Sequence, residues 1–218
     1  VTSAPNLLRP LVRHTGRTVP LRRGNVDTDQ IMPAEFCKRV TKSGFEDAVF
    51  HRWRAEPGFV LERPERAGAS VLLAGPDFGT GSSREHAVWG LRDWGFVVVL
   101  SSRFGDIFRR NALKNRLLAV VLPETAVETL MTASERDPSL EVTVDVAAGT
   151  VTGGGDSWPF ELDARTRWLL LNGYDDIAVT LRDADAITAY ETSRPHWLPS
   201  IRPDDEAVPR GRTPQEAT

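Results

Sequence analysis

The chain has 218 residues and a formal net charge of −3, enough length for one domain with a sizeable core and no general electrostatic reason to bind nucleic acid or an anionic membrane. Cys37 is its one cysteine, which excludes an intrachain disulfide and a four-cysteine zinc or iron–sulfur site assembled from this chain alone. No apolar run reaches the roughly 20 residues of a membrane span, and the first ten residues lack the apolar centre of a signal peptide, so a soluble cytoplasmic protein is expected.

Val19 to Leu21 reads as a short strand entering the polar turn GNVDTDQ. Ser43 opens a predicted helix, with Glu46 as capping-box partner and Phe45, Val49 and Trp53 on one face; Pro57 and Gly58 end it. ERPERAGAS is a predicted loop. The centre is the most legible part. SVLLAG is an apolar strand, PDFGTG a turn, SSREHAVWGLRDW a helix ending before Gly95, and FVVVLSS a second buried strand. That order is a βαβ unit with parallel strands and a right-handed crossover.

A helix at Asp106 to Lys114 and the strand LLAVVL follow, then a helix at Glu124 to Ser134. LEVTVDV alternates like a half-buried strand, and the turn Gly153 to Gly155 leads into WPFEL. Ala164 to Asn172 is a predicted helix with Gly173 as its C′ residue, and a last helix covers Asp183 to Thr192. The proline-rich, charged end argues for an irregular tail. The class is α/β.

The turn Phe78-Gly79-Thr80-Gly81-Ser82-Ser83-Arg84-Glu85 joins a strand end to a helix start. Free N–H groups and the positive end of the helix dipole favour an anion there. Gly79 and Gly81 let the backbone approach a ligand. Arg84 can grip a carboxylate with both arms of its fork, and Ser82 and Ser83 can donate to it. A plainer reading competes: Ser82-x-x-Glu85 is a capping box, and an arginine on a first helical turn is usually a solvated surface residue. A dinucleotide site is disfavoured, because the third glycine of the fingerprint is missing and the next strand ends in Leu100-Ser101-Ser102-Arg103 without a ribose-binding acid.

DFGTGSSREHAVWGLRDWGFVVVLSSRFGDIFRRNALKNRLL, with the earlier GNVDTDQIMPAEF, resembles the small subunits of 3-isopropylmalate dehydratase, the swivelling domain of the aconitase superfamily. The likeness runs from about Gly16 through Trp197. It implies a swivel fold, a mixed or parallel sheet forming a partly open barrel flanked by helices, over residues 1–197, with 198–218 as the tail. It also implies a hydro-lyase active only with a large subunit. That partner holds a [4Fe–4S] cluster, and this chain itself binds no metal. The implied substrate is a small dicarboxylic 2-hydroxy acid, 2- and 3-isopropylmalate being interconverted in leucine biosynthesis.

By the same resemblance Ser82 is the general base, and Gly81, Ser83 and Arg84 bind substrate. The turn Asp27, Thr28, Asp29 and Gln30 lies near the active site, although such turns commonly satisfy only their own backbone. Glu35-Phe36-Cys37-Lys38-Arg39 lies where the family sets side-chain specificity, and Lys38 or Arg39 can add positive charge there. Family members often carry an aliphatic residue in place of Cys37, which bears on substrate preference. Cys37 itself reads as a small buried apolar residue. His86 is expected to pack structurally, and Asn111, Lys114 and Asn115 to shape the helix and loop. The alternatives are a paralogous small subunit acting on another 2-hydroxy acid, of homoaconitate or methylmalate type, and a non-catalytic anion-binding module.

Overall fold

The structure, a computed structural model, describes residues 9–82, 84–195 and 197–199. Ser83 and the tail beyond Pro199 lie outside the described residues. The chain divides into two units, Val1–Asp175 and Asp176–Thr218.

The first unit is built on a seven-stranded mixed sheet, curled into a half-barrel and flanked by helices. In chain order the strands are β1 (Arg13–Leu21), β2 (Val71–Ala74), β3 (Val98–Ser101), β4 (Leu118–Val121), β5 (Glu141–Asp145), β6 (Thr150–Gly153) and β7 (Asp156–Pro159). Their spatial order is β4-β3-β2-β1-β5-β6-β7. The four strands β4 to β1 run parallel, and β5, β6 and β7 continue antiparallel. Apart from the buried Thr18 and Ser101, the parallel half is apolar, as a parallel sheet covered on both faces requires. Leu72 and Ala74 of β2 join one core with Phe78, Phe96 and Phe108, while Val71 and Leu73 join a second with Val98, Leu118 and Val142. Alternate side chains of one short strand thus anchor both layers.

The expected βαβ unit is present. Helix α3 (Glu85–Trp94) crosses from β2 to β3 and ends at Gly95, whose φ of +114° suits glycine. The short α1 (Thr28–Ile31) and α2 (His51–Arg54) precede it in the chain. Helix α4 (Asp106–Lys114) leads to β4, and α5 (Glu124–Arg136) buries Ala126, Val127, Leu130 and Met131 against the second core. Gly154 and Gly155, at φ +62° and +93°, turn the β6–β7 hairpin as a primed turn requires. Helix α6 (Ala164–Asn172) is capped by Asp163 and closed by Gly173. The second unit contains α7 (Asp176–Leu181) and α8 (Ala184–Ser193). No helix of the described residues is long and apolar enough to cross a membrane.

Three expectations need correction. The helix predicted from Ser43 is one turn long, His51–Arg54. Phe45 and Val49 are buried as the pattern implies, yet their backbone is committed elsewhere. The Phe45 N–H donates to Asp93 Oδ2 at 3.0 Å, the Phe50 N–H donates to Ile31 O at 2.8 Å, and Phe50 is left-handed at φ +49°. Tertiary partners have replaced the helix ladder. The first strand is also longer than Val19 to Leu21, because its polar start Arg13–Arg17 pairs antiparallel with β5 while Thr18–Leu21 pairs parallel with β2. Pro20 is tolerated because β5 leaves at Arg17, so the strand has one neighbour there. Finally, ERPERAGAS carries a 3-10 turn at Pro64–Arg66 that buries Arg66.

Candidate active site

Three loops meet at the C-terminal edge of the parallel strands, where open α/β sheets place ligands. The loop after β2 holds residues 75–84, the loop after β1 runs into α1, and the loop after β3 runs into α4. Backbone bonds clamp them together. Gly79 N–H donates to Val26 O at 2.8 Å, Thr28 N–H to Thr80 O at 2.9 Å, Phe78 N–H to Arg103 O at 3.1 Å and Gly105 N–H to Phe78 O at 2.9 Å.

Glycine is required where these loops touch. Gly79 and Gly81 have φ of +78° and +83°, a region costly for other residues. A Cβ at Gly79 would lie 2.2 Å from the buried Phe108 ring, and one at Gly81 would lie 2.1 Å from Asp27 Oδ2. The two motifs singled out in the sequence are therefore in contact.

The capping-box reading of Ser82 does not hold. Helix α3 begins at Glu85 with Arg84 in the N-cap position and no side-chain cap. The Glu85 carboxylate instead accepts from Asn115 Nδ2 at 2.6 Å, and Asn115 Oδ1 accepts from Trp89 Nε1 at 3.0 Å, so Asn115 shapes the α3–α4 junction as expected. Ser82 is exposed, and its hydroxyl faces that of the buried Thr28 at 3.5 Å. Arg84, half-buried, forms an ion pair with Asp29.

The turn Asp27–Gln30 splits into two roles. Asp27 accepts from the Asp29 N–H at 2.6 Å, and Gln30 Oε1 accepts from the Asp27 N–H at 2.8 Å. These two form a capping box for α1 and hold the turn, as polar turns commonly do. Thr28 and Asp29 instead reach the second loop.

The structure does not bring Arg39 into this cluster. Its guanidinium holds Asp47 through two bonds of 2.7 Å, donates to Gly44 O at 2.6 Å and lies over the Phe36 and Phe45 rings. The pairing drives the Asp47 carboxyl below its ordinary range. Arg39 would have to leave that pair to meet a substrate carboxylate. Lys38 is exposed at the end of the 3-10 turn Ala34–Lys38, and Cys37 is half-buried against the core. His86 packs on Phe45 and Trp89, with ring centroids 5.6 and 4.7 Å away.

The third wall was not singled out from the sequence. Arg103 bonds both carboxylate oxygens of Asp77, which has φ +59°, and lowers the Asp77 pKa. A Cβ on Gly105 would meet Gly79 O at 2.4 Å. Their signal was the run Arg103-Phe104-Gly105-Asp106, which opens the helix after a buried strand.

A family model described as the Aconitase C-terminal domain matches residues 8–125, and one described as the C-terminal domain of the 3-isopropylmalate dehydratase small subunit matches residues 176–199. A 3-isopropylmalate dehydratase small subunit of Acidothermus cellulolyticus is 60% identical over 89% of this chain and 99% of its own length. One of Streptomyces coelicolor is 58% identical over 88% of this chain and 98% of its own length. The chain belongs to the 3-isopropylmalate dehydratase small-subunit family. The family's fold is evident as well: a crystal structure of a 3-isopropylmalate dehydratase from Methanocaldococcus jannaschii aligns with a TM-score of 0.60 at 22% identity, covering 82% of this chain and 99% of that one.

Proposed function

We propose that this chain is the small subunit of a 3-isopropylmalate dehydratase and supplies the proton-transferring, carboxylate-binding half of its active site. The observation that carries the reading is Ser82. It stands exposed just before α3, unused as a cap, facing the Thr28 hydroxyl and two residues before the Arg84 that pairs with Asp29. Ser82 takes the proton alpha to a substrate carboxylate, and Arg84, with Ser83 and Gly81, binds substrate. Lys38 adds positive charge from the specificity segment.

A serine hydroxyl is a weak base. It serves only where its anion is stabilised by N–H groups at a helix start and by adjacent positive charge, in a site closed to water. In this reading the α3 N-terminus and Arg84 supply the first two, and a large subunit docked over the loops supplies the closure. Asp29 orients Arg84 and prevents it from collapsing onto other acceptors until a substrate carboxylate competes.

The iron belongs to the partner in this reading. A chain with one cysteine cannot ligate a [4Fe–4S] cluster through three thiolates, so the large subunit must. That cluster supplies a Lewis-acid pull on the substrate hydroxyl. The substrate is a small dicarboxylic 2-hydroxy acid, and the cytoplasm is where the proposed complex works.

The test is reconstitution with the cognate large subunit, iron and sulfide under anaerobic conditions, comparing kcat/KM for isopropylmalate, homoaconitate-type and methylmalate-type substrates. Isopropylmalate should be preferred by about tenfold or more, a factor worth about 1.4 kcal/mol of transition-state discrimination. A stronger preference for another malate would overturn the substrate assignment.

A further inference from the structure

A second cationic pocket stands apart from the serine–arginine loop. It lies where β1 ends and has a volume of about 320 Å³. Arg22, Arg23, Arg63 and Arg66 line it, with Leu21 and Phe59 providing apolar wall. Two of these arginines are already neutralised. Arg22 pairs with Glu128 and Glu135, and Arg23 pairs with Glu56 while lying over the Trp53 ring. Glu56 and Glu135 also line the pocket, so its acids are spent on those pairs.

Arg63 and Arg66 have no carboxylate partner among the described residues. Arg63 is exposed and donates to Gly58 O at 3.2 Å. Arg66 is only 5% exposed. Its Nη1 donates to Thr18 O at 3.1 Å and Ser134 Oγ at 3.0 Å, and its Nη2 donates to Ser134 O at 2.7 Å. These bonds tie β1 to the last turn of α5, which explains why a guanidinium is tolerated there. They leave the Nε–H buried without an acceptor, and Nη2 has a second proton with no acceptor among the described residues. Nε–H and that second Nη2–H form the side-on edge of a guanidinium, which matches a carboxylate. Burying an unmatched donor is costly.

We propose that this pocket binds a small organic acid, its carboxylate held between Arg63 and the side-on edge of Arg66 and its apolar body against Leu21 and Phe59. The Arg66 Nε is covered, so binding requires a lining side chain to move, and Arg63, exposed and held to Gly58 O by a bond of 3.2 Å, is a lining arginine without an acid to fix it among the described residues. Apolar wall beside paired cations favours an organic carboxylate over inorganic phosphate.

Calorimetric titration of the full chain carrying Arg84→Ala tests this, since the substrate mouth has then lost its guanidinium and any binding left there would not respond to Arg63→Ala. Hexanoate is the probe, with hexanamide and inorganic phosphate as comparisons. Hexanoate should bind saturably, with hexanamide and phosphate at least about tenfold weaker, because a charged pair and an apolar contact are each lost in turn. Arg63→Ala and Arg66→Lys should each weaken hexanoate about fivefold or more. Should Arg66→Lys fail to fold, Arg63→Ala decides alone. Absence of saturation up to about 10 mM, a range that weak ligands reach, would overturn the site. Equal binding of hexanamide, or no effect of Arg63→Ala, would overturn it too. Tighter phosphate binding would overturn the ligand class.

Discussion

Replacing Gly81 by alanine separates two costs that the loop geometry combines. The first is conformational: at φ +83° an L-residue costs roughly 1–2 kcal/mol. The second is contact, because the new Cβ would sit 2.1 Å from Asp27 Oδ2 and 2.6 Å from its Cγ. Asp27 cannot yield freely, since it caps α1, and losing such a cap costs about 1 kcal/mol. Gly44 is the matched control. Its φ is +85°, and nothing lies within 4 Å of a Cβ built there. Gly44→Ala should therefore cost only the conformational part, about 1–2 kcal/mol, and lower the melting temperature by about 2–6 °C. Gly81→Ala should cost about 2–3 kcal/mol, or roughly 5–10 °C, if the loops stay clamped. It should also cut reconstituted turnover, because shifting Asp27 moves Thr28 and Asp29 away from Ser82 and Arg84. Thermal unfolding of the chain and kinetics of the complex measure both effects. Equal melting points for the two variants, with normal turnover by Gly81→Ala, would refute the clamp.

The remaining predictions concern titration and the arginine fork. Burial lowers the His14 pKa, and its Nε2 lies 2.8 Å from Ser70 Oγ. Below the ordinary value of 6.5 the unfolded chain takes up a proton before the folded one, so stability falls as pH drops through that value and towards the depressed one. His14→Gln should flatten this part of the denaturant-stability profile; an unchanged slope between about pH 7.5 and 5.5 would contradict it. Arg84→Lys keeps the charge but loses the planar fork, so KM should rise about tenfold or more in the reconstituted complex. An unchanged KM would count against a carboxylate grip at that position.

The parallel half of the fold was legible because its signals are local. Apolar runs that end at glycine or proline, and helices closed by Gly95 and Gly173, depend on neighbours in the chain. The misjudged parts depend on distant ones. The segment at Phe45 to Phe50 has a helical apolar pattern, but Asp93 and Ile31 claim its backbone N–H groups. The polar start of β1 becomes a strand only because β5 arrives beside it. Helix α7, too short to show an apolar period, was missed.

The site divides in the same way. GTGSSR and DTDQ were readable as motifs, and the structure brings the two into contact. That Asp29 would pair with Arg84 across 55 positions, that Glu85 would serve Asn115 rather than a capping box, and that Asp47 would take Arg39 could not be read from spacing. Each depends on which loop lands beside which.

The most direct test of the account is Ser82→Ala in the complex reconstituted with its large subunit. Removing a positioned general base should lower kcat by about 100-fold or more, while co-purification with the large subunit and KM stay close to wild type. Near-normal kcat in a fully assembled complex would show that the proton goes elsewhere.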